Sequence, residues 1–219
     1  MDGSGGRRRS CHGHAGTRCD SGGFSESVLA RVSESISPVG CRPFAQHENT
    51  RATAFAVGEH QAVTAYHVVR PTCFLHGEIM AFGGRSAVVA AKSSAHGLAL
   101  LNVIGYRARS VLRPARAHAG ERLALLGYPH DRVNAPLRVT YGTILSMDRV
   151  VKLTGPVGTE TLRDAILVSV PAAHGESGGP AIDAAGHVVG VFQGGDSTIR
   201  LLTPAVDLCI GHTRALRCS

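Results

Sequence analysis

The chain has 219 residues, a net charge of +7, 27 glycines and no tryptophan. That length holds one domain, or one domain of two packed halves, and no stretch nears the roughly 20 apolar residues that would span a bilayer, so no membrane partner is expected. Gly-rich, aromatic-poor composition with many Val and Ala runs disfavours a helical bundle and points to an all-β domain with many tight turns.

Residues 1–25 are Gly, Ser, Arg and His with almost no large apolar side chains. Such a segment cannot bury a core and is expected to be a disordered basic tail. Its Arg7-Arg8-Arg9 run reads as solvated charge, and nucleic acid is not the expected partner. No apolar segment follows these arginines, so the start does not read as a secretory signal. The six cysteines (Cys11, Cys19, Cys41, Cys73, Cys209, Cys218) are too few for a disulfide-stapled scaffold, although Cys41 with Cys73 and Cys209 with Cys218 could pair. Together these features favour a cytoplasmic setting or release from a precursor. Cys11, His12, His14 and Cys19 are four zinc-type donors, but their spacing is tighter than in usual structural sites. No metal and no cofactor are expected.

Residues 26–38 carry Val28, Leu29, Val32 and Ile36 at helix-like spacing, which fits a short amphipathic helix or a lead-in strand. From about Thr50 the texture changes to short apolar runs separated by Gly, Pro and polar clusters. They include Ala54–Val57, Ala62–Ala65, Ala87–Ala91, Leu98–Ile104, Leu123–Leu126, Leu137–Leu145, Ile166–Val170, Val188–Phe192 and Ile199–Leu202. About nine or ten strands with turns between them fit a barrel or a sandwich. The segment Arg107–Ala119 lacks a strand pattern, and its four arginines read as a solvated linker between two halves.

The sharpest chemical signal is His174-Gly175-Glu176-Ser177-Gly178-Gly179-Pro180. A nucleophilic serine needs backbone N–H groups aimed at the oxyanion formed on attack. Gly175 permits the turn that points its own N–H and that of Ser177 into one hole. A bland Gly-Ser turn would explain this motif alone. Upstream, however, the apolar run Ala62-Val63-Thr64-Ala65-Tyr66-His67-Val68-Val69 ends in a histidine, and the order His then Ser is that of one known catalytic arrangement.

These two runs resemble the Thr-Ala-x-His and Gly-Asp-Ser-Gly-Gly-Pro boxes of trypsin-like serine proteases. Ala54-Phe55-Ala56-Val57 is similar to the Gly-Phe-Val-Val that precedes the histidine strand. Gly127-Tyr128-Pro129 followed by Val139–Ser146 resembles the start of the second barrel in bacterial HtrA-type proteases. Gly186–Val191 and Leu202–Ala205 resemble the strands that close the substrate cleft. The likeness covers roughly residues 45–212 and carries no PDZ module. It implies two six-stranded antiparallel barrels of the chymotrypsin type within a protease domain spanning 26–219. The N-terminal barrel is expected at about 45–106, the linker at about 107–119 and the C-terminal barrel at about 120–212. Ser177 would be the nucleophile, His67 the general base, and the N–H groups of Gly175 and Ser177 the oxyanion hole.

One family position breaks the pattern. Where the family has an acid before an Asp-Leu-Ala-Leu-Leu strand, this chain reads Gly97-Leu98-Ala99-Leu100-Leu101. The only acids between His67 and Asp131 are Glu78 and Glu121. Neutralising that acid in trypsin costs about four orders of magnitude in turnover. Three readings stay open: a weakened Ser–His dyad helped by water or His96, a distant acid such as Glu78 reaching His67, or an impaired protease fold kept for binding. Glu176, where the family has Asp, reads as solvent-facing or locally hydrogen-bonded. No Ile-Val-Gly-Gly-like start exists for it to pair with.

For specificity, the family pattern puts Pro171 at the base of the pocket, which disfavours cleavage after Lys or Arg. Phe192 suggests a small or medium apolar residue before the scissile bond. The backbone of Gln193, Gly194 and Gly195 would pair with the substrate as an added strand. The expected function is therefore a serine endopeptidase weakened at Gly97, acting on polypeptide. The alternatives are a catalytically impaired module that binds peptides or a partner, and an accessory protein whose basic tail matters more than its cleft.

Overall fold

The computed structural model describes residues 23–42, 52–69, 79–130, 135–155, 158–195 and 200–209. The basic tail with Cys11, His12, His14 and Cys19, and also Cys73, Glu78, Asp131 and Cys218, lie outside these residues. The segment read as a helix or a strand is both. Helix α1 (Glu26–Ser33) leads into strand β1 (Ile36–Arg42). Ser25 caps α1 by accepting the Val28 N–H at 3.2 Å, and Arg31 in the last turn reaches the Ala185 carbonyl.

The first barrel comprises β1, β2 (Ala52–Gly58), β3 (Gln61–Ala65), β4 (Ile79–Phe82), β5 (Arg85–Ser93) and β6 (Leu98–Val103). Its antiparallel pairs run β1-β2-β3-β6-β5-β4, and β4 returns to β1. The barrel thus starts at Ile36, ahead of the position near 45 where the sequence texture begins it. The second barrel comprises β7 (Arg122–Gly127), β8 (Arg138–Gly155), β9 (Gly158–Ser169), β10 (Pro180–Ile182), β11 (Val188–Gly195) and β12 (Arg200–Pro204). Its order is β10-β11-β12-β9-β8-β7, and a short seam, Ala181 with Leu125 and Ile182 with Ala124, joins β10 to β7.

The strands read as unbroken apolar runs because both of their faces are covered. Ala54 and Ala62 fill the first barrel while their neighbours Phe55 and Val63 face the core between the barrels. On β7, Leu123 and Leu125 point into the second barrel, whereas Ala124 and Leu126 join that shared core. The period-two alternation of a strand therefore sorts apolar residues between two apolar environments.

The linker makes the same division. The Leu112 N–H donates to the Ala56 carbonyl of the first barrel, and the Ala115 N–H to the Val188 carbonyl of the second. Leu112 is buried in the shared core, while Arg107, Arg109, Arg113 and Arg116 are all exposed. The ion pair of Arg107 with Glu59 is open to solvent on both sides and contributes little.

Candidate active site

His67 stands just past β3, in the 3₁₀ turn Tyr66–Val69. The buried run Ala62–Ala65 holds the turn on one side and buried Val68 and Val69 on the other, leaving the imidazole half-buried. Its Nδ1 is shielded from solvent. The Tyr66 N–H donates to the Gly97 carbonyl at 2.7 Å, which sets the start of β6 beside the histidine.

Ser177 lies on the opposite wall, in the loop that joins β9 to β10. The loop is fitted so closely that it admits no side chain at two of its glycines. A Cβ on Gly175 (φ +93°) would come within 2.5 Å of the Tyr128 carbonyl oxygen, and one on Gly178 (φ +83°) within 2.2 Å of the Thr53 carbonyl oxygen. Both glycines also hold left-handed backbone that L side chains resist. The Gly178 N–H donates to the Phe192 carbonyl at 2.7 Å, and the Gly179 N–H to the Glu176 carbonyl at 2.9 Å. Among the described residues, the N–H groups of Gly175 and Ser177 donate to no protein acceptor. Two such donors on a rigid loop can receive an oxyanion without reorganising.

Thr53, on β2 of the first barrel, clasps this loop. Its N–H donates to the Ser177 carbonyl, and its hydroxyl donates to the Gly175 carbonyl while accepting the Tyr128 N–H, all at 2.9 Å. Thr64, beside His67 on β3, donates to the Thr53 carbonyl at 2.8 Å. A network of buried hydrogen bonds therefore ties the histidine strand to the serine loop. Tyr128 itself is half-buried, and that burial pushes its phenol above the ordinary value.

Glu176 is not solvent-facing, one of the two positions left open for it by sequence. It is 0% exposed, and its carboxylate meets Arg138 through Nε at 2.7 Å and Nη2 at 2.8 Å, while also accepting the Ala173 N–H at 2.8 Å. The bidentate fork satisfies a charge that would be costly to bury alone. It also stiffens the serine loop from beneath.

The remaining expected site residues divide. Pro171 is exposed. Phe192 is 3% exposed, and its ring belongs to the interior of the second barrel. The edge of β11 is unpaired with β10 beyond Val191, which leaves the backbone of Gln193, Gly194 and Gly195 open on that side among the described residues. Gln193 does more than expected of it. Its carbonyl accepts the Ser177 hydroxyl at 3.4 Å, while its side chain is 1% exposed and reaches Gly97 in the first barrel. A cavity of about 470 Å³ bounded by Arg116, Met147, Asp148 and Asp164 contains none of these site residues.

Residues 52–191 match the family described as Trypsin-like peptidase domain. Among solved structures, the active form of Rv3671c protease from M. tuberculosis is 24% identical, with a TM-score of 0.67 and 85% of each chain covered. The inactive form of Rv3671c protease is 22% identical with a TM-score of 0.63, covering 84% of this chain and 89% of that one. Deg5 is 16% identical with a TM-score of 0.65, covering 84% of this chain and 89% of that chain. These likenesses bear on the fold. No curated protein matches.

Proposed function

The chain belongs to the family of trypsin-like peptidase domains, and on that premise we propose that it is a serine endopeptidase with Ser177 as nucleophile and His67 as general base. The Ser177 oxygen attacks the substrate carbonyl carbon while its proton passes to Nε2 of His67. The oxyanion is received by the N–H groups of Gly175 and Ser177. Collapse of the intermediate expels the amine, which takes its proton from the imidazolium, and water then releases the acyl group by the same steps in reverse order.

The observation that carries this reading is the serine loop. Its left-handed Gly175, its two N–H groups without a protein acceptor and its anchorage to the histidine strand through Thr53 and Thr64 amount to a preformed oxyanion site. A fold kept only to bind peptides has no evident need of that arrangement. The substrate backbone would lie along Gln193–Gly195 as an added strand. Exposed, uncharged Pro171 offers no acid to a Lys or Arg, which disfavours cleavage after either.

Labelling by a fluorophosphonate probe tests the proposal. The wild-type chain should be labelled and the Ser177→Ala variant should not, with peptide hydrolysis falling by about three orders of magnitude or more. A folded wild-type protein that takes no label would overturn the enzyme reading in favour of a binding module.

A further inference from the structure

Strand β12 (Arg200–Pro204) is apolar but for its first residue and Thr203. Arg200 stands opposite Gly195 of β11 on one side and Val168 of β9 on the other. Residues directly opposite across an antiparallel ladder lean to one face, and alternate residues of a strand share it. Arg200 therefore shares its face with Val168 and Leu202, both buried inside the second barrel. A long cationic side chain is thereby directed at the mouth of an apolar barrel.

There it is half-buried, and its Nη2 donates to the Ala172 carbonyl at 3.3 Å. Ala172 packs against the barrel interior, and the next residue, Ala173, donates its N–H to Glu176 of the serine loop. Arg200 thus bridges the strand edge proposed for the substrate backbone and the segment that leads into Ser177. Gly195, its partner on β11, has no side chain with which to cover the guanidinium. Among the described residues no carboxylate pairs with Arg200, and one carbonyl is the acceptor for a group with five N–H donors. Arg138, also half-buried, is answered by both oxygens of Glu176. Arg200 has the same chemistry and lacks the acid.

We infer that Arg200 sets the specificity: its guanidinium receives the carboxylate of an Asp or Glu at the substrate position just before the scissile bond. The inference rests on the proposed role of Ser177, since the carbonyl it attacks defines that position. A carboxylate can accept two parallel N–H bonds from a guanidinium, and a neutral amide cannot match the charge. The apolar side chains of Val168, Phe192 and Leu202 around the mouth reduce screening by water. The same cation opposes Lys or Arg at that position, in keeping with the lack of an acid at Pro171.

The test compares peptides that differ only before the scissile bond, where they carry Asp, Asn, Glu, Gln, Leu or Lys. The full chain should cleave an acidic peptide with a kcat/KM about 10- to 100-fold above that of its own amide, and the Lys peptide slowest. Arg200→Glu should reverse the order of the acidic and Lys peptides, while Arg200→Lys should keep the order with a smaller ratio. Should Arg200→Glu fold poorly, Arg200→Gln takes its place and should bring the acid-to-amide ratio to about 1. A wild type that takes the fluorophosphonate label but cleaves amide or Leu peptides as fast as acidic ones overturns the inference and leaves the enzyme reading standing. An acidic preference that survives loss of the Arg200 charge overturns it as well. If the wild type takes no label, peptide binding read by fluorescence anisotropy decides. About 10-fold tighter binding of an acidic peptide than of its amide, lost in Arg200→Gln, sustains the acid-binding role while the enzyme reading falls. Equal or absent binding overturns it.

Discussion

Around Ser177 the chain is held by backbone contacts that admit no added atom, whereas beside the histidine turn the space that a side chain at Gly97 would enter is taken by Gln193 of the other barrel. The serine wall depends on glycines in left-handed conformations packed against carbonyl oxygens, with Glu176 and Arg138 locked beneath. Hardly any other residues could make that loop, so its spelling is recognisable. At Gly97 the fit is one of volume, and several side chains from different places could fill it. A site of two such halves can keep one motif intact and rewrite the other. Gly97 and Gln193 form such a pair: a Cβ on Gly97 would meet the carboxamide of Gln193, which enters from the second barrel.

The largest effect is expected on the serine wall. Arg138→Met leaves the Glu176 carboxylate buried with no counter-charge, and breaking a buried pair from one side costs about 3 kcal/mol or more. Arg138 is itself 37% exposed, so water can replace part of its role and we expect about 2–3 kcal/mol. For a chain of this length that is a fall in Tm of about 5–10 °C by calorimetry. Fluorophosphonate labelling should fall with it. Arg138→Lys should recover stability only in part, since a point charge cannot reproduce the fork. A variant as stable and as reactive as the wild type would mean that the loop needs no support from below, and the contrast between the two walls would lose its basis.

Gly97→Asp probes the histidine wall and is the next largest. Sequence alone would welcome it as the missing acid. In the folded chain its Cβ would meet Leu162 Cδ2 at 2.7 Å and Gln193 Oε1 at 3.0 Å, and its carboxylate would enter beside a carbonyl-type oxygen. We expect a loss of about 2 kcal/mol and no gain in turnover. Adding Gln193→Ser vacates the amide's volume, so the double variant should recover about 1 kcal/mol relative to the sum of the singles. It should also turn over faster than Gln193→Ser alone. A rise in kcat from Gly97→Asp by itself would break the comparison, because it would mean the wall has room that the packing denies.

These contrasts also explain what could be read in advance. The two-barrel architecture was legible because its strands are short, apolar on both faces and separated by turn residues. The strands that escaped notice have physical reasons: β4 is four residues long, and β10 is the tail of the serine motif itself; β1, offered only as a lead-in strand, is blurred by Ser37, Pro38 and Gly40. Ser177 and His67 stood out as candidates because local backbone and strand pattern spell them. Arg138 did not, since its partner is 38 residues away and nothing near it in sequence marks a buried ion pair. Gln193 left one trace, a long polar residue inside a strand that is otherwise buried and apolar. Its fit against Gly97 is a matter of volume across two barrels, which no linear pattern records.

The smallest prediction concerns the join between the walls. Tyr128 belongs to the second barrel and its hydroxyl reaches the Ile36 carbonyl of the first at 3.5 Å, a contact too long to contribute much. Burial raises its phenol above the ordinary tyrosine value, so the folded state prefers the protonated form. That preference supports folding fully below the unfolded value and is lost as pH rises through the folded one. Tyr106 is raised in the same direction, mainly by burial and against an opposing pull from Arg85, and it is common to both proteins being compared. Tyr128→Phe should therefore match the wild type near neutral pH and lose less stability above about pH 10, by about 1 °C in Tm. Since Tyr128 also carries the N–H held by Thr53 and the carbonyl packed on Gly175, a larger alkaline difference would place the weak point of the serine wall at this crossing. Parallel curves throughout would place it elsewhere, and would leave the Thr53–Thr64 clasp as the contact that keeps the two barrels in register.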